Sequence, residues 1–147
     1  MSIKRSASHR LRLGRWSAVG HCYLVTTVTA DRKPIFNDFY LARTLIRIMR
    51  QDELAGTHRT LCYVLMPDHL HWLLELRQGT LSQLVGRVKS LSAKQHGGRT
   101  WQKGFHDHAL RNDENLLSAA RYIVANPIRA GIVTRIGEYP HWDAIWL

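Results

Sequence analysis

Residues 59–76, RTLCYVLMPDHLHWLLEL, constrain the fold more than any other part of the chain, because two apolar runs are separated there by a very short break. RTLCYVLM (59–66) and LHWLLEL (70–76) are rich in the β-branched, aromatic and aliphatic residues that strands favour. A break no longer than MPDH joins antiparallel neighbours, and Pro67 with Asp68 suits a tight turn.

The flanking segments supply partners for this hairpin. HCYLVTTVT (21–29), closed by DRKP, predicts another strand. Asn37 or Asp38 is placed to cap a helix in which Ala42, Leu45, Ile46 and Met49 fall at i, i+3, i+4 and i+7, ending near Gly56. After Gly79, Thr80 caps a second helix whose apolar stripe is Leu81, Leu84, Val85, Val88 and Leu91, ending at Gly97-Gly98. WQKGFHDHALR (101–111) predicts a loop running into a short strand. Asn112 or Asp113 then caps a third helix, which must stop around Asn126 because Pro127 follows. The order strand, helix, strand, strand, helix, strand, helix is the α/β (α+β) pattern of a ferredoxin-like β-α-β-β-α-β antiparallel sheet with an additional C-terminal helix.

A length of 147 residues fits one domain with a real core. Residues 1–19 carry Lys4, Arg5, Arg10, Arg12 and Arg15 among serines and glycine and read as a basic arm, leaving 20–147 as a single domain. The formal charge of +10 and a pI near 10.3 imply a polyanionic partner, with nucleic acid the leading candidate. Cys22 and Cys62 both lie in apolar runs, as buried thiols do, so no disulfide framework is expected. The basic N-terminus has no apolar segment behind it, and nowhere do about 18 apolar residues run together, so the chain is expected to be soluble and cytoplasmic.

Three sets of residues bear on chemistry. His69 and His71 flank Leu70 at the start of a strand, and alternation sends both imidazoles to one face as half of a metal site. Tyr122 and Asn126 are four apart on the third helix, hence on one face, where one can attack and the other coordinate. His106 and His108 form a rival HxH pair without an adjoining turn or nearby tyrosine. Asp68 reads as a turn residue, and no carboxylates are paired at an informative spacing, which argues against two-carboxylate nuclease chemistry. Arg12, Arg15, Lys89, Lys94, Lys103, Arg111, Arg121 and Arg129 are candidate DNA contacts, with Trp101 or His106 as base-stacking surfaces. Tyr139, Trp142 and Trp146 read as fastenings of the C-terminal tail onto the core.

YVLMPDHLHWLLEL, followed some fifty residues on by ARYIVANPIRAGIV and then YPHWDAIWL, resembles the HUH-type tyrosine transposases, specifically the REP-associated tyrosine transposase branch. The likeness extends from about residue 15 to the C-terminus. It implies that His69 and His71 ligate Mg2+ or Mn2+, with Leu70 the hydrophobic residue between them. It further implies that Tyr122 is the catalytic nucleophile and that the third ligand position falls on Asn126, where the wider family often has Gln. The expected substrate is a single-stranded DNA hairpin of repetitive extragenic palindromes, cut to leave a 5′-phosphotyrosine link and a free 3′-hydroxyl. The enzyme would act as a monomer or a homodimer, away from membranes. Two alternatives stay open at this point: a protein that binds such hairpins without cutting, and a metal-dependent hydrolase that activates water.

Overall fold

The computed structural model describes residues 11–12 and 17–146. Six strands form one antiparallel sheet: β1 (Leu11–Arg12), β2 (Cys22–Val28), β3 (His58–Met66), β4 (His69–Leu76), β5 (Phe105–Leu110) and β6 (Trp142–Ala144), in the order β1-β5-β2-β4-β3-β6. The helices are α1 (Phe39–Leu54), α2 (Leu81–His96), α3 (Asp113–Val124) and the single turn α4 (Asn126–Arg129). The ferredoxin-like order expected from the sequence is present, and β1 and β6 add two short edge strands to it.

The β3–β4 hairpin pairs Met66 with His69, so only Pro67 and Asp68 lie outside the ladder and His69 belongs to the strand. Its alternation divides the core in two. Leu70, Trp72, Leu74 and Leu76 point to the face covered by α1 and α2, together with Tyr23, Val25 and Leu65. Leu73 points the other way, to a second cluster with Cys62, Val64, Met66 and, from α3, Ala120 and Ile123. A bulge between Thr60 and Cys62 allows Leu61 to join that second cluster as well.

Local signals set the helix ends. The Asp38 carboxylate, not Asn37, caps α1 by accepting from Leu41 N. Thr80 and Gln83 form a reciprocal capping box on α2, and Gly97, at φ 83°, ends it in the left-handed conformation that glycine adopts without strain. The buried stripe of α2 continues to Ser92, and Leu91 is exposed, because one more turn beyond Val88 brings position 92 onto the core. On α1, Ile48 is buried where Ile46 was expected.

The third predicted helix is two elements. The Asn112 side chain caps α3 by accepting from Asn115 N, and Ala125 then separates α3 from α4. Pro127 has no N–H to extend the ladder but suits the first turn of a new helix, so Asn126 opens α4 and does not share one continuous helix with Tyr122.

The tail is fastened as the sequence suggested. β6 pairs with β3, the Tyr139 hydroxyl donates to the Leu65 carbonyl, and Trp142 Nε1 donates to Ile136 O at 3.1 Å. Trp146 remains 42% exposed. Cys22 and Cys62 are free thiols on strands separated by β4, and burial pushes Cys62 up to about 12. Among the described residues, no helix is long and apolar enough to cross a membrane.

Candidate active site

His69 and His71 lie on the sheet face that packs against α3, the opposite side from Leu70 and Trp72. Their rings meet edge to face with centroids 4.8 Å apart. Each ring has its Nδ1 engaged. His69 Nδ1 donates to Asp68 Oδ1 at 2.7 Å, and Asp68 is held in turn by Arg32, whose Nε lies 3.2 Å from Oδ2. His71 Nδ1 lies 3.0 Å from Thr26 Oγ1, on the neighbouring strand β2. Among the described residues neither Nε2 has a hydrogen-bond partner, so with Nδ1 protonated both Nε2 lone pairs are available.

At His71, electrostatics favour the same state. Burial, followed by the proximity of His69 and the Arg129 guanidinium, pushes His71 down to about 4, so it is neutral at physiological pH. Partial burial opposes ionisation of Asp68, but its hydrogen bond to His69 and the proximity of the His69 ring and of Arg32 together hold the carboxyl below its ordinary value. Arg32 reaches Asp68 from a turn in which Asp31 and Arg32 both have positive φ, 55° and 51°. Such backbone is uncommon outside glycine and here aims a side chain at the site.

Tyr122 projects from α3 and is 63% exposed. The Arg129 guanidinium lies over its ring, 4.0 Å from the centroid, and Arg129 Nη2 donates to Asn126 Oδ1 at 3.1 Å. Arg129, read from the sequence as a DNA contact, therefore ties the tyrosine to the asparagine across the α3–α4 break. Its charge also reaches His71. Asn126 Oδ1 retains acceptor capacity for a further partner.

The rival pair shares the face of the first. Thr26 pairs with His71 on one side and His106 on the other, and Leu24 pairs with His108. His106 thus stands two strands from His71, about 10 Å at the usual strand spacing. No group of three or more His, Cys, Asp or Glu side chains among the described residues is arranged to hold a metal ion. A metal site built on either pair would need carboxamide, phosphate or water oxygens as well. Asn126 opens α4, which packs on β3, the strand paired with the His69–His71 strand β4, and α3 packs on both β3 and β4.

The other sequence-read DNA candidates are not gathered into one groove. Lys89 is turned inward, its Nζ donating to Gln102 O at 2.8 Å and Gly104 O at 2.5 Å, and burial pushes it down to about 8. Trp101 is also structural: Nε1 donates to Ser92 Oγ at 2.9 Å and the ring lies 5.4 Å from Phe36. Lys94, Lys103, Arg111 and Arg121 are exposed but lie on separate elements, Lys94 on α2 and Arg121 on α3, across the sheet from each other. The side chain of Arg12 and the whole of Arg15 lie outside the described residues. Sequence reasoning missed Thr26 and Arg32 and read Asp68 as a turn residue alone. The available signal was the position of Asp68 directly before the histidine pair.

The ferredoxin-like sheet thus presents a histidine pair on the face covered by α3, the helix that bears Tyr122. The family described as Transposase IS200 like matches residues 17–126, well over half of the chain, and the chain belongs to that family. It is 24% identical over 139 residues to a protein of Haemophilus influenzae described as a REP-associated tyrosine transposase, covering 83% of this chain and 78% of that one. It is 28% identical over 81 residues to a REP-associated tyrosine transposase of Escherichia coli, covering 53% of this chain and 49% of that one. The structure of a REP-associated tyrosine transposase bound to a REP hairpin superposes with a TM-score of 0.77 at 21% identity, covering 90% of this chain and 82% of the other. A transposase from Deinococcus radiodurans superposes with a TM-score of 0.54 at 21% identity, covering 77% and 95%. At these identities the two structures speak for the fold.

Proposed function

We propose that the chain is a metal-dependent transesterase that cuts and rejoins single-stranded DNA beside repeat-derived hairpins through a phosphotyrosine link at Tyr122. The observation that carries this reading is the engagement of both histidine Nδ1 atoms by Asp68 and Thr26, which leaves two Nε2 donors on one sheet face. Two neutral imidazoles with a carboxamide oxygen from Asn126 form a donor set suited to a divalent cation with open positions. Mg2+ or Mn2+ held there would polarise the scissile phosphate and neutralise its charge.

Tyr122 Oη forms the new bond to phosphorus as the P–O3′ bond breaks. The phenol gives up its proton, and the departing oxygen takes one up as a free 3′-hydroxyl. The DNA segment 3′ of the cut stays bonded to Tyr122 through its 5′ phosphate, so attack by a 3′-hydroxyl restores a phosphodiester without an external energy source. Arg129 restrains the ring and sets a cation beside the nucleophile, a placement suited to phosphate. A hairpin substrate is supported by the relative whose structure is described as bound to a REP hairpin.

Incubation with Mn2+ and labelled hairpin DNA from repeats of the source genome should give a denaturation-resistant adduct that Tyr122→Phe abolishes. Because the hydroxyl is exposed, that substitution should leave folding and hairpin binding intact. Binding without an adduct under any divalent metal would reduce the protein to a hairpin binder. Cleavage that survives in Tyr122→Phe would point to activated water.

A further inference from the structure

Away from the histidines and Tyr122, α1 and the β3–β6 edge enclose a groove of about 650 Å3. Arg43, Arg47 and Arg50 line it from α1 at i, i+4 and i+7, and Arg59 enters it from β3. Like charges at this spacing repel along a helix, so the stripe is a small cost to the free fold that a bound polyanion would relieve. The two carboxylates in the groove offset part of this charge and leave it net positive. Glu53 pairs with Arg50 at 3.2 Å and accepts from Thr60 N, and Asp143 accepts from Ala144 N. Among the described residues no carboxylate lies within ion-pair distance of Arg43, Arg47 or Arg59.

One turn before Arg43 on the same helix, Tyr40 is 62% exposed. That end of α1 is close to the histidine-bearing hairpin turn, since Phe36 N donates to Pro67 O and the Phe39 ring packs 5.3 Å from His141. The line from Tyr40 to Arg50 therefore starts at the active-site end of the sheet and runs away from it for about 15 Å at the usual helical rise. An aromatic platform leading into a basic track is the pattern that binds unpaired strands, because stacking needs a free base face and the track needs only phosphates.

We propose that the groove of Arg43, Arg47, Arg50 and Arg59, with Tyr40 at its head, binds the backbone of a single DNA strand extending beyond the segment held at the catalytic residues. The assignment rests on the DNA-cutting reading for its substrate, but the groove is testable without it. Arg47→Glu/Arg59→Glu changes two exposed side chains that have no carboxylate partner, and Arg47→Gln/Arg59→Gln is the milder control.

Fluorescence anisotropy with a labelled oligothymidylate of about 20 nucleotides, longer than most single-strand sites, measures the groove directly. The charge reversal should weaken binding at least tenfold and reduce the log-log salt slope by about 0.7 for each phosphate no longer neutralised, with the Gln pair intermediate. Adduct yield on a hairpin carrying only the few flanking nucleotides that span the cut should stay at the wild-type level. Equal affinity and equal slope in wild type and both variants would overturn the proposal, as would a wild type that does not bind the oligothymidylate. Loss of oligothymidylate binding in the variants, in a protein that forms no adduct at all, would refute the cutting reading and leave the groove standing.

Discussion

Thr26→Val probes the part of the site that only folding assembles. The Thr26 hydroxyl lies 3.0 Å from His71 Nδ1, and valine keeps the shape and strand preference while deleting that partner. A neutral hydrogen bond is worth about 1 kcal/mol, or about fivefold in an equilibrium constant. Losing it also frees the imidazole to turn or to move its proton to Nε2, and partners of metal-ligating histidines are typically worth about 10–100-fold in metal affinity. The half-saturating Mn2+ concentration for adduct formation should therefore rise about tenfold, while yield at saturating Mn2+ recovers. Calorimetric titration of Mn2+ should show the same factor without DNA. The melting temperature of the metal-free protein should move by no more than about 3 °C, the scale of 1 kcal/mol in a domain of this size. An unchanged Mn2+ dependence would refute the view that Thr26 sets His71 for metal. A defect that saturating Mn2+ fails to rescue would show that the hydroxyl serves another step.

Asp68→Asn should act on His69 in the same way and add the loss of the Arg32 ion pair, with adduct formation demanding more Mn2+ than in wild type; indifference to metal concentration would count against it. For pH, the folded value of His71, about 4, lies below the unfolded value of about 6.5. The unfolded chain thus binds more protons between those values, and metal-free stability from this group is full above about 6.5. It falls by up to about 1.4 kcal/mol per pH unit down to about 4, which denaturant titrations of His71→Gln against wild type should show as a flatter acid limb in the variant. Lys89→Met removes the donor to Gln102 O and Gly104 O and should lower stability by about 1–3 kcal/mol, leaving the salt dependence of DNA binding unchanged. A shallower salt slope would return Lys89 to the DNA surface.

What the sequence determined by itself is the part encoded in local pattern. Caps and glycines set the ends of α1 and α2, apolar periodicity separated helices from strands, and a two-residue turn fixed the hairpin that puts His69 and His71 on one face. These follow from backbone sterics and side-chain direction within a few residues, so they were legible before any fold was known. Tertiary structure decided what depends on distant partners. Thr26 and His71 are 45 residues apart, and only the β2–β4 register makes them neighbours. Lys89 shows no local sign of burial, yet two carbonyls 13 and 15 residues on take its charge inward. Arg43, Arg47 and Arg50 form a visible stripe on their own helix, but it becomes a groove only when β3 and β6 supply the opposite wall. The break at Ala125 lay close to its signal, Pro127, and still required the structure. A proline that ends one helix also suits the first turn of the next, and only packing on β3 selects between stopping and turning.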